Sequence, residues 1–143
     1  MSVLSLKKWV ATVALVCSPV AVTYANDKPF SMSCSTLGFS AVVEGVSGKD
    51  WMGQSYSIIQ RYKITRTPGQ KGGNRAYLYS SMAQAPNNTS YLEMIETGPL
   101  KQDGQWSNLQ VSQTQYLRKP EMSMRVNFDD SGRNTKCLMK KLL

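Results

Sequence analysis

The sequence contains no histidine among its 143 residues. This absence excludes mechanisms that need an imidazole as a general base, a metal ligand or a pH switch near neutrality. The paired carboxylates are poor substitutes, because Glu93 and Glu96 would point to opposite faces of a strand, and Asp129 and Asp130 belong to a turn. A serine nucleophile elbow and a metal-ligand cluster are missing too. We therefore expect a protein that is not an enzyme and has no catalytic residue, metal or cofactor.

Long apolar runs are also scarce, and the one run near the start is short. Lys7 and Lys8 precede the apolar stretch 9–17, and Thr23-Tyr24-Ala25 ends the segment before polar residues. The run falls short of the roughly 20 residues that span a membrane. This order predicts a secretory signal peptide over residues 1–25, cleaved after Ala25. The remaining residues, 26–143, form one predicted domain with 15 basic and 9 acidic side chains, a net charge of +6.

Cysteine is rare, and two of the three cysteines, Cys34 and Cys137, follow the predicted cleavage site. In an exported chain such a pair is expected to form a disulfide. A redox-active pair is the alternative, but the sequence has no Cys-x-x-Cys motif. The brief signal and the modest cysteine content favour a bacterial periplasmic or secreted protein.

Apolar residues in the predicted domain tend to alternate with polar ones, which is typical of β-strands. In the segment Glu121–Phe128, the apolar side chains Met122, Met124, Val126 and Phe128 share one face. Further strands are predicted around Phe30–Cys34, Tyr56–Ile64, Ala76–Met82, Tyr91–Ile95, Gln105–Leu117 and Arg133–Leu142. The sequence thus predicts a mainly β fold, a small antiparallel β-sandwich or barrel, in which the disulfide ties the first strand to the last. Residues 40–54 give no clear pattern.

Positive charge is concentrated between Trp51 and Leu92, where no acidic residue occurs. We expect Tyr56–Thr67 and Asn74–Met82 to pair as a hairpin. Its basic patch would contain Arg61, Lys63, Arg66, Lys71 and Arg75. The patch serves either to bind a partner or to keep the hairpin soluble. The loop 68–73 is rich in glycine and exposes backbone N–H groups to an anion, but it lacks the spacing of a nucleotide-binding loop.

Two tryptophans lead to different expectations. Trp51 and Met52 lie in the glycine-flanked segment 48–53, where they serve either as interface anchors or as a lid over one end of the sheet. Trp106 follows a turn and is expected to pack on the core.

These features favour a non-catalytic periplasmic or secreted binding protein. We interpret it as an inhibitor or immunity protein that docks on an envelope hydrolase or toxin, with Trp51, Met52 and the basic patch forming the partner-binding surface. The alternative is an envelope or surface component that binds anionic glycan or lipid head groups through the basic hairpin. Export from the cytoplasm argues against nucleic acid as a partner.

Overall fold

A computed structural model describes residues 27–86 and 94–143, and these residues form two four-stranded antiparallel sheets. The predicted signal peptide lies outside the described residues, as does the predicted strand 91–95 except for its last two positions. The strands are β1 (Lys28–Thr36), β2 (Phe39–Lys49), β3 (Ser55–Arg66), β4 (Ala76–Gln84), β5 (Ile95–Leu100), β6 (Trp106–Gln115), β7 (Pro120–Asn127) and β8 (Lys136–Leu142). No helix in the described ranges is long and apolar enough to cross a membrane.

The front sheet has the order β1-β2-β3-β6, and the back sheet has the order β5-β4-β7-β8. Side chains from both sheets meet in one apolar core, which includes Val43, Ile59 and Leu78. The rings of Phe39 and Phe128 stack between the sheets with centroids 4.9 Å apart. The predicted mainly β fold with antiparallel strands is thereby confirmed.

The disulfide Cys34–Cys137 joins β1 to β8, with 5.9 Å between the two Cα atoms. These strands are the first and last of the described chain, and they lie at the edges of different sheets. The bridge therefore links the two sheets along one side, as the cysteine positions predict.

The predicted hairpin between Tyr56–Thr67 and Asn74–Met82 is wrong. Strand β3 pairs with β2 and β6 in the front sheet, whereas β4 pairs with β5 and β7 in the back sheet. The connection between β3 and β4 crosses from one sheet to the other, so these two strands are neighbours in sequence but do not pair.

An irregularity at Gln60 changes which face of β3 is buried. The register to β2 passes from Ile59 directly to Arg61, which leaves Gln60 as an extra residue. Before this bulge Ser55, Ser57 and Ile59 are fully buried, and after it Tyr62 and Ile64 are. A β-bulge inserts one residue and shifts the alternation. The even spacing of Tyr56, Ile58, Tyr62 and Ile64 in the sequence predicts a single buried face. The bulge interrupts it: Tyr56, Tyr62 and Ile64 are buried, but Ile58 is only partly buried.

Strand β2 occupies most of the stretch that gave no sequence pattern, and Gly45 lies within it without ending it. A Cβ atom at Gly45 would lie 2.0 Å from the carbonyl oxygen of Ile58 and 2.8 Å from the ring of Phe30. The glycine thus permits a close approach of the backbones beside the bulge.

Gly98-Pro99 is a dipeptide typical of turns, yet it lies inside β5. Strand β5 is an edge strand, so one of its sides has no neighbouring strand. A proline, which lacks a backbone N–H donor, is therefore tolerated there.

Candidate functional site

Trp51 and Met52 lie at the tip of the β2–β3 hairpin, in a turn formed by residues 50–54, here called the hairpin tip. The Asp50 carboxylate accepts hydrogen bonds from the backbone N–H groups of Met52 and Gln54, at 2.9 and 2.8 Å. The Asp50 backbone N–H donates to the Gln54 carbonyl at 2.9 Å, and Gly53 donates to the Asp50 carbonyl at 3.0 Å. Such an Asx-type turn fixes the backbone that carries the indole.

The Trp51 side chain projects into solvent from this turn. Its relative exposure is 86%, and that of Met52 is 47%. The indole does not cover the end of the sheet, so the lid interpretation is wrong. A large apolar side chain held in solvent by a hydrogen-bonded turn is a candidate anchor for a partner.

Beside the hairpin tip lies a hollow of about 370 Å³ that carries positive charge. Its lining includes Lys28 at the start of β1, Lys49 at the end of β2, and Arg118 after β6. The loop that carries Arg118 is held by hydrogen bonds at Leu117 and Arg118. Ser55 Oγ donates to the Leu117 carbonyl at 2.9 Å, and the Gln84 side-chain oxygen accepts from the Arg118 backbone N–H at 2.8 Å.

Sequence reasoning missed these three cations. Lys28, Lys49 and Arg118 come from three separate segments, and only the strand pairing brings them to the same end of the molecule. No local pattern marks them, so knowledge of the topology is needed to find them.

Arg61 and Lys63 lie on the solvent-facing side of the front sheet, away from the hairpin tip. Arg61 contacts Glu44 Oε2 through Nη2 at 2.6 Å and Nε at 2.7 Å. Its guanidinium carbon lies 4.6 Å from the centre of the Trp106 ring, and Lys63 Nζ lies 5.2 Å from that centre. These contacts combine cation–π attraction with an ion pair, so Glu44 offsets part of the positive charge.

Trp106 therefore does not pack on the core, as its position after a turn suggested. It is 41% exposed because it pairs with Lys63 in the register of β3 and β6 and points to the same outer face. Together Arg61, Lys63 and Trp106 form what we call the front-face cluster.

The other three predicted basic residues belong to the opposite end of the sandwich. Arg66 closes β3, while Lys71 and Arg75 are exposed on the loop that follows. Strand β3 separates this loop from the hairpin tip by roughly 35 Å, given the usual rise of an extended strand. The seven predicted partner-binding residues thus fall into three separate groups.

The glycine-rich loop at that end has contacts that explain its composition. Arg66 donates to the carbonyls of Gly72 and Gly73 at 2.6 and 3.1 Å. The buried Gln102 side chain donates to the Gly73 and Asp129 carbonyls at 3.0 and 3.1 Å, and it accepts from the Asp129 backbone N–H at 3.0 Å. The glycines let the loop pack against Asp129, and Arg66 holds it there.

Tyr79 occupies the outer face of the back sheet between Glu96 and Arg125, its partners in the register. Partial burial raises the pKa of the Tyr79 hydroxyl above its ordinary value, because burial disfavours the phenolate. The nearby Glu96 carboxylate raises this pKa further, and Arg125 lowers it. A tyrosine hydroxyl is already neutral at physiological pH, and these effects favour that neutral form.

No group of three or more metal-ligating side chains occurs within residues 27–86 and 94–143. The chain matches no family model, no curated protein and no solved structure.

Proposed function

We propose that this protein is a non-catalytic extracytoplasmic binding protein, an inhibitor or immunity protein that docks on an envelope hydrolase or toxin. The observation that carries the proposal is the hairpin tip, which holds Trp51 almost fully in solvent. The predicted signal peptide over residues 1–25 and the disulfide support a periplasmic or secreted location.

The hairpin tip suits insertion into a concave surface. Tryptophan supplies a large apolar area, and tryptophans are enriched among the residues that dominate binding energy. Because four hydrogen bonds hold the Asp50–Gln54 turn, little backbone freedom would be lost on docking.

The charge around the hairpin tip indicates the chemistry of the partner. Lys28, Lys49 and Arg118 line the adjacent hollow, and in this proposal they take the role that the sequence predicts for the basic patch. A partner whose cleft has an acidic rim complements them. Such complementarity accelerates encounter and fixes orientation more than it adds affinity.

The test is capture of a partner from envelope extract by the exported, disulfide-bonded protein. We expect one stoichiometric protein that stays bound at high salt and whose enzymatic or toxic activity the captured complex lacks. Trp51→Ala should weaken binding by about 2 kcal/mol, roughly 30-fold, while the thermal unfolding midpoint stays the same.

Leu37→Ala is the matched control, because Leu37 is 72% exposed in the β1–β2 turn at the opposite end of the sandwich. It should bind as the wild type does. Equal affinity of the Trp51→Ala variant, or an equal loss in the Leu37→Ala variant, would overturn the assignment of the hairpin tip.

The alternative function, binding of anionic glycan or lipid head groups, retains one supporting observation. Arg61 and Lys63 share an exposed face with Trp106, even though their predicted hairpin is not formed. Recovery of only glycan or lipid, lost at high salt and abolished in an Arg61→Glu, Lys63→Glu variant, would favour this alternative.

A further inference from the structure

Strand β6 forms one edge of the front sheet, and within residues 27–86 and 94–143 it pairs with β3 alone. Apart from this pairing, the described part of the chain makes no backbone–backbone hydrogen bond to residues of β6. The outer side of β6 therefore presents backbone N–H and C=O groups to which another strand can pair.

The other three edge strands carry features that prevent such pairing. Strand β5 contains Pro99, while β1 contains Pro29 and is joined to β8 by the disulfide. Strand β8 carries three lysines in its seven residues, namely Lys136, Lys140 and Lys141. Prolines and lysines on an edge strand hinder pairing with a further chain.

Strand β6 has none of these protective features. Its ten residues include no proline, no glycine and no charged side chain. Exposed and more buried positions alternate along its whole length. The exposed positions are Trp106, Asn108, Gln110, Ser112 and Thr114. Among the edges of the two described sheets, β6 is thus the one suited to pairing with another strand.

We propose that β6 pairs with β6 of a second copy of this chain. The two strands run antiparallel about a two-fold axis at Gln110, and they join the two front sheets into one continuous sheet. Two-fold dimers are the commonest oligomers of soluble proteins. This interface is separate from the hairpin tip and goes beyond the proposed function.

The sequence of β6 is complementary to itself in this register. Residues directly opposite each other in an antiparallel pair point to the same face. With the axis at Gln110, Leu109 of each copy lies opposite Val111 of the other, on the face that packs on the core. On the outer face only uncharged side chains meet, because Trp106 faces Thr114, Asn108 faces Ser112, and Gln110 faces its own copy.

The positive charge of the front sheet is compatible with this pairing. Arg61 and Lys63 lie on β3, beside the Trp106 end of β6. Two β6 strands separate the β3 strands of the two copies by roughly 14 Å, which exceeds the screening length of about 8 Å at physiological salt. Antiparallel pairing also directs the two front-face clusters toward opposite ends of the interface.

The dimer leaves both hairpin tips accessible. Gln115 at the end of β6 pairs with Ser55 at the start of β3, so the hairpin tip lies toward the Gln115 end of β6. Antiparallel pairing turns one copy end for end relative to the other. The two Trp51 side chains therefore lie at opposite ends of the dimer, which can hold two partner molecules.

The test is sedimentation equilibrium of the exported, disulfide-bonded protein over a range of concentrations. We expect the mass to rise from monomer to dimer between about 10 µM and about 1 mM, because one pair of strands makes a small interface. Amide hydrogen exchange in the concentrated sample should slow in β6 and stay unchanged in β8. A protein that is monomeric at about 1 mM would overturn the proposal.

Charge exchange at the two-fold axis locates the interface. Gln110→Lys and Gln110→Glu each place two like charges opposite each other, and each variant alone should dimerise at least about fivefold more weakly than the wild type. An equimolar mixture of the two variants should form a dimer of one copy of each, because opposite charges then face each other. Association of Gln110→Lys at wild-type strength, or a mixture that associates no better than its components, would refute pairing through β6.

Ser33→Lys is the matched control, because Ser33 is exposed on β1 and the substitution adds the same charge at the opposite edge of the front sheet. It should dimerise as the wild type does, and a loss equal to that of Gln110→Lys would contradict the proposal. Trp51→Ala should dimerise normally, and Gln110→Lys should capture its partner normally. The dimer and the docking function therefore fail independently.

Discussion

At the scale of single residues, the glycine-rich loop shows how close packing fixes residue identity. Gly72 has a φ of +132°, and a Cβ atom there would lie 1.9 Å from the Asp129 carbonyl oxygen. Arg66 donates to the carbonyls of Gly72 and Gly73, and the buried Gln102 also donates to the Gly73 carbonyl. The run of glycines that resembled an anion-binding loop is thus explained by contacts within the protein.

Gly72→Ala should lower the free energy of unfolding by about 2 to 4 kcal/mol, because the new methyl group meets backbone and the conformation is strained. Urea denaturation measures the change. Gly69→Ala is the control: Gly69 also has a positive φ, +86°, but no atom lies within 4 Å of its Cβ position. The Gly69→Ala variant should lose only about 1 kcal/mol of unfolding free energy. Equal losses in the two variants would contradict the role of the Asp129 contact.

Residue by residue, the sequence predicted the site unevenly. The exposure of Trp51 and Met52 can be predicted from sequence, because an aromatic residue in a glycine-flanked turn is a local signal; their binding role stays a prediction. The orientation of Trp106 cannot be predicted in this way, because it depends on the register between Trp106 and Lys63 on two strands that are distant in sequence. The cations near the hairpin tip were missed for the same reason.

At the scale of elements, strict alternation of apolar and polar residues predicts the buried face of a strand correctly where the strand is regular. In β7 the predicted face of Met122, Met124 and Val126 is buried throughout. In β3 the same rule failed, because the extra residue Gln60 shifts the alternation midway. Glycine is typical of turns, but Gly45 lies inside β2, where the close approach of Ile58 and Phe30 leaves no space for a side chain.

Deletion of Gln60 should prevent folding, because one half of β3 would then present its buried residues to solvent. Circular dichroism and one-dimensional NMR of the exported variant show whether it is folded. Gln60→Ala should fold normally, because the Gln60 side chain is exposed and the bulge is kept. A folded deletion variant with wild-type stability would show that the bulge is dispensable.

At the scale of the whole molecule, the disulfide joins two sheets whose edge strands are far apart in sequence. The two cysteines are 103 positions apart. In the chain-entropy view, such a long loop gives a large reduction in the freedom of the unfolded chain.

A Cys34→Ala, Cys137→Ala variant should lose about 2 to 5 kcal/mol of unfolding free energy, as measured by chemical denaturation. Where the variant remains folded, the affinity of the hairpin tip for its partner should be unchanged, because neither cysteine lies near Trp51. Undiminished stability would contradict a stabilising role for the bridge.

Lys28 at the start of β1 and Leu143 beyond the end of β8 line the same hollow beside the hairpin tip. A fluorophore or affinity tag attached at either position would lie beside the hairpin tip and compete with a partner for space. Gly69, at the far end of the sandwich with open space around it, is the better attachment point. A protein coupled to a sensor surface through position 69 would present Trp51 outward. The attachment position therefore determines whether binding of a partner can be measured.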